Sequence, residues 1–113
     1  MLSDWNAYRG ELMKTLGQVG AISPDILKAN DLISAAAPAE PRLDAKTREL
    51  IALAVAVTTR CDGCIAVHSE AARKAGATKE EVVEALGVAI ALNSGAALVY
   101  TARAFDAFNQ GAG

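Results

Sequence analysis

Residues 44–74 read DAKTRELIALAVAVTTRCDGCIAVHSEAARK, and their pattern decides the fold. Asp44 can cap a helix that opens polar at Ala45, Lys46, Thr47, Arg48 and Glu49, then turns apolar on every side over residues 50–57. A helix apolar all round belongs at the centre of a fold. Thr58, Thr59 and Arg60 look like the junction to a second helix. This one starts at Cys61 or Asp62, runs to about Lys74 and is stopped by Gly76 in the left-handed conformation. If the two fold back antiparallel about Thr59, Glu49 lies ten positions before the turn and His68 nine after it, at the same depth.

Working outward, residues 3–17 predict a helix with Trp5, Tyr8, Leu12 and Leu16 at spacings of three or four. Ser23 followed by Pro24 is an N-cap with proline at the first helical position. That second helix passes through Ile26, Leu27 and Ile33 and is ended by Pro38 and Pro41. Beyond Gly76, Thr78 and Glu81 form a capping box, so another helix starts near Lys79 with Val82, Leu86 and Ile90 along one face. Residues 85–102 carry no charge and reach transmembrane length, but the run is Ala-rich and interrupted by Asn93, Ser94 and Gly95. The preferred reading is a buried helix broken near its centre, with Leu98, Ala102 and Phe105 on a last helix and residues 110–113 fraying. Strand signals are poor. The expectation is an all-α fold, one domain over residues 1–113, built as a compact bundle of about six helices.

The chain is 52% hydrophobic over 113 residues, which leaves apolar helix faces without partners and predicts a homo-oligomer. Eleven Lys and Arg against 13 Asp and Glu give a net charge of -2, so no basic field exists to attract nucleic acid or an anionic membrane. The segment Met1-Leu2-Ser3-Asp4-Trp5-Asn6 lacks the basic-then-apolar pattern of a secretory signal, and a cytoplasmic location is expected. In a reducing compartment, two cysteines spaced C-x-x-C point to redox chemistry or metal ligation.

On a helix Cys64 lies about 60° to one side of Cys61 and His68 about 20° from it, so all three share a face. Cys64 and His68 are an i,i+4 pair, close enough for the imidazole to take or return a thiol proton. The helix start favours thiolate at Cys61, whereas His68 favours Cys64, leaving the choice of nucleophile in tension. Glu49 can orient the imidazole or accept a proton through water; its plain alternative is a first-turn acid complementing the helix dipole or pairing with Arg48 or Lys46. Zinc is disfavoured, because ligands at i, i+3 and i+7 of one helix close poorly into a tetrahedron and no second C-x-x-C follows. No cofactor is implied, and Glu70, Arg73 and Lys74 read as a solvated face.

The set Glu49-x11-Cys61-x2-Cys64-x3-His68, preceded by Thr-Arg-Glu-Leu-Ile-Ala-Leu-Ala, resembles the carboxymuconolactone decarboxylase family in its alkylhydroperoxidase D-like branch. The resemblance covers roughly residues 41–105. It implies an all-helical trimer or hexamer and a thiol-dependent peroxidase or disulfide reductase. In that reading Cys64 attacks the peroxide, Cys61 resolves the sulfenic acid as a disulfide, His68 is the acid/base and Glu49 supports it. A dithiol reductant, such as a lipoyl-bearing protein, would restore the thiols. True lactone decarboxylases of the family lack the C-x-x-C pair. This chain departs from alkylhydroperoxidase D in having Gly63 where that enzyme carries a second relay histidine. The rival expectation is a non-catalytic redox-sensing or metal-binding oligomer.

Overall fold

A computed structural model describes residues 1–111, and among them every regular element is a helix. In chain order these are α1 (Trp5–Ile22), α2 (Pro24–Ala35), α3 (Ala45–Thr59), α4 (Asp62–Lys74) and α5 (Lys79–Gly111). The helix boundaries follow local chemistry. Asp44 accepts the Thr47 amide at 2.7 Å to open α3, Gly76 takes φ 89° after α4, and Thr78 and Glu81 exchange capping bonds of 3.1 and 3.0 Å at the start of α5. Pro24 sits in the first turn of α2 as expected, although the Ser23 side chain makes no capping bond.

The expected six helices become five because Asn93, Ser94 and Gly95 do not break α5. Asn93 Nδ2 donates to the Ala89 carbonyl at 2.7 Å and to Thr58 Oγ1 at 2.9 Å. The first of these reaches back to a carbonyl one turn earlier, a bond that a side chain can make without ending the helix. A glycine inside a helix costs about 1 kcal/mol, too little to forfeit the hydrogen-bond ladder beyond it. The helix therefore continues through Gln110, and fraying at residues 112–113 lies outside the described residues.

The expected compact bundle is also corrected. Each helix packs only on its neighbours in the spatial order α2, α1, α4, α3, α5, which makes an open strip. The radius of gyration is 18.6 Å, against about 13 Å for a compact chain of this length. Accessible surface is 8813 Å², where a folded monomer of this mass exposes about 5,900 Å². The buried side chains are Leu53, Ala56, Ala66, Ala72 and Ala89, placing the core where α3 meets α4 and α5. Nor is α5 the buried helix expected: it is long and apolar enough to cross a membrane by length and composition, and Ile90, Leu98 and Phe108 are 69%, 73% and 75% exposed. It outruns its support. α5 runs parallel to α3, pinned by Lys46 to Glu81 at 2.8 Å and by Asn93 to Thr58, but α3 ends at Thr59 and the distal half of α5 continues alone.

Truncating Leu53 to Ala is expected to cost about 2–5 kcal/mol in denaturant unfolding, because it is the one large side chain buried on α3, the helix that packs against both α4 and α5. A second outcome concerns acid. The Lys46 ammonium and then the Thr78 amide hold the Glu81 carboxyl below the usual carboxylate range, and the Thr47 amide does the same for Asp44. A carboxylate whose folded pKa is depressed stabilises the fold above its unfolded pKa, and that contribution is lost as pH falls through the folded value. The melting temperature should therefore drop as pH is lowered from about 4, and Glu81→Gln should flatten that drop.

Candidate functional site

The site begins with how α3 stops. Arg60 adopts the left-handed conformation, φ 55° and ψ 49°, and the Cys61 amide still reaches back to the Ala56 carbonyl at 3.0 Å. Cys61 is at once the N-cap of α4, at φ -100° and ψ 99°. Two residues thus reverse the chain, and α3 and α4 lie antiparallel, as the register of Glu49 and His68 requires. His68 Nδ1 meets Glu49 Oε2 at 2.7 Å, with the two side chains 37% and 24% exposed.

Cys61 and Cys64 are joined as a disulfide across the first turn of α4, with 5.2 Å between their Cα atoms. Cys61 Sγ also accepts the Cys64 backbone N–H at 3.1 Å. All four residues singled out from the sequence, Glu49, Cys61, Cys64 and His68, therefore stand on one hairpin. The imidazole's hydrogen bond goes to Glu49 rather than to Cys64, whose sulfur is bonded to its partner. An ionised carboxylate only accepts, so against such a partner Nδ1 carries the proton of this contact, and Nε2 is the ring nitrogen left outside it. Among the described residues no three His, Cys, Asp or Glu side chains converge as a metal site.

The pairing of Glu49 with Lys46 is not formed: Lys46 is taken by Glu81, and the Glu49 carboxylate meets the imidazole. The other face of α4 is covered by α1, which sequence reasoning missed. Arg9 Nε donates to the Ala66 carbonyl at 2.7 Å, and its guanidinium pairs with Glu70 at 2.5 Å. Glu70, expected on a solvated face, also pairs with Lys74, and the Lys74 ammonium followed by Arg9 holds its carboxyl low. A Cβ placed on Gly63 would come within 2.9 Å of Leu12 Cδ2. Gly63 thus marks the position where α1 closes over α4. The available signal was Arg9 itself, a cation set between Trp5 and Leu12 on the α1 stripe.

The sequence profile described as the carboxymuconolactone decarboxylase family matches residues 24–107. An uncharacterized protein of Haemophilus influenzae is 51% identical over 96% of both chains. The Paracoccus denitrificans protein called uncharacterized protein 4 in cox locus is 36% identical over 84% of this chain and 86% of its own. The crystal structure of an apo carboxymuconolactone decarboxylase family protein from Legionella pneumophila superposes with a TM-score of 0.74 at 36% identity, covering 96% of this chain and 97% of that one.

If Leu12 fills the space over position 63, Gly63→Leu should destabilise by about 1–3 kcal/mol through overpacking. Adding Leu12→Ala should recover more than half of the loss. Thermal unfolding of the two single variants and the double checks this, and additive losses would break the link.

Proposed function

The chain belongs to the carboxymuconolactone decarboxylase family, and from that premise we propose that it is an alkylhydroperoxidase D-like oxidoreductase whose Cys61 and Cys64 cycle between dithiol and disulfide. The observation that carries this reading is the disulfide standing on the same two-helix hairpin as the Glu49–His68 pair. One element supplies a two-electron store and the other completes a proton acceptor. In the reduced protein His68 Nε2 takes the Cys64 proton, and the thiolate attacks the peroxide O–O bond. This gives a sulfenic acid on Cys64 and releases an alcohol or water. Cys61 then attacks that sulfur, the S–S bond forms and the hydroxyl leaves as water. A dithiol donor, of which a lipoyl-bearing protein is one form, returns the two electrons. Gly63 carries no side chain, so the proton path on this chain is Glu49 and His68 alone.

The working unit we propose is a homo-oligomer, a trimer or hexamer, in the cytoplasm. Support comes from the open strip of helices and from an excess of about 2,900 Å² of exposed surface per chain, which is the scale obligate interfaces bury. We assign the apolar face of α5 to other copies rather than to lipid, because polar bonds at Glu81 and Asn93 tie its first half along α3. The same exposed faces favour a second reading, a redox sensor whose assembly responds to the disulfide without turnover.

Steady-state peroxide consumption with a dithiol donor separates the two. We expect saturable turnover, lost in Cys64→Ser and lowered about 100- to 10,000-fold in kcat/KM by His68→Ala. Absence of turnover with every peroxide and donor tried, alongside an intact disulfide, would leave the sensor. Sedimentation at micromolar concentration should give a trimer or hexamer, and a monomer there would remove the assembly from the proposal.

A further inference from the structure

The two sulfurs of the disulfide are not equivalent, and the difference decides where a reductant enters. Cys61 lies outside α4 as its N-cap, and its Sγ already accepts the Cys64 N–H at 3.1 Å. An electron pair placed on this sulfur arrives at an atom held by a backbone donor and the positive end of a 13-residue helix. Cys64 lies inside the first turn. Its sulfur accepts no hydrogen bond among the described residues, and the proton-handling group on its face is His68, one turn further along α4. The charged groups around the pair do not reverse the order. Asp62 follows Cys61 on α4 and is exposed, Glu49 of α3 is engaged by His68, and Arg9 of α1 is spent on Ala66 and Glu70.

In thiol–disulfide exchange the sulfur with the lower thiol pKa leaves more readily, and the incoming thiolate bonds to the other. We infer that the reductant attacks Cys64 and that Cys61 is the leaving thiolate. The inference rests on the dithiol reading above and adds the side from which electrons enter. In the first step a donor thiolate forms an S–S bond to Cys64 Sγ while the Cys61–Cys64 bond breaks, its electron pair passing to Cys61 Sγ. In the second, another donor thiolate attacks the donor sulfur of the mixed disulfide, giving oxidised donor and a Cys64 thiolate that receives, through His68, one of the two protons the donor thiols release. Overall, two donor thiols lose two electrons and two protons, and the protein disulfide gains two electrons. One proton is kept on Cys64, and the other passes to solvent while Cys61 stays ionised. Cys61 is thereby already charged to resolve the next sulfenic acid on Cys64.

The test uses the oxidised full-length protein and 2-mercaptoethanol, a monothiol that forms the adduct without closing its own ring. The reaction is quenched with acid at early times, free thiols are alkylated, and peptides are mapped by mass spectrometry. The adduct should sit on Cys64 with Cys61 alkylated, in at least about tenfold excess over the reverse. An adduct chiefly on Cys61, or an even split, overturns the assignment. The reduced single variants give an independent reading: Cys61 in Cys64→Ser should react with iodoacetamide at lower pH than Cys64 in Cys61→Ser, and the opposite order also overturns it. No peroxide enters either measurement. A chain that failed as a peroxidase could still pass, and a working peroxidase could still fail.

Discussion

A carboxylate and an imidazole 2.7 Å apart on consecutive helices meet only if the chain reverses sharply and in register. Everything else at the site depends on that reversal. Arg60 supplies it by accepting a left-handed backbone that costs a non-glycine residue some strain, and Cys61 turns the end of one helix into the start of the next. A residue inserted between Thr59 and Cys61 would rotate α4 by about 100°, carrying His68 and the two sulfurs together away from Glu49. The turn, more than any single side chain, sets the chemistry.

Much of this hairpin was legible in the sequence because its signals are local. Asp44, Gly76 and the Thr78–Glu81 box act within a few residues, and a helical period places Cys61, Cys64 and His68 on one face without knowledge of the rest. Glu49 was reached by counting either side of the turn, a step that worked because both helices are regular. Arg9 and Leu12 were not reached. Their partners, Ala66, Glu70 and Gly63, lie more than fifty positions away, and no periodicity in α1 states which helix it will cover.

α5 was misjudged for a different reason. Hydropathy along residues 85–102 says that the segment avoids water, but does not say whether neighbours from its own chain will cover it. Here they cover only the part alongside α3, and the break expected at Asn93 is absent: its side-chain amide donates back to Ala89 within α5 and across to Thr58 on α3. The same reasoning explains why compactness failed as an expectation. Five helices arranged edge to edge have two open faces, whereas the same helices closed into a bundle have one interior.

The bridge between Cys61 and Cys64 closes a ring of only four residues. Such a short ring removes little freedom from the unfolded chain, so making or breaking the bond shifts the folding equilibrium far less than a long-range cross-link does. In chain entropy the bond is therefore a minor constraint, and the helices around it owe their persistence to caps and packing that lie outside the ring.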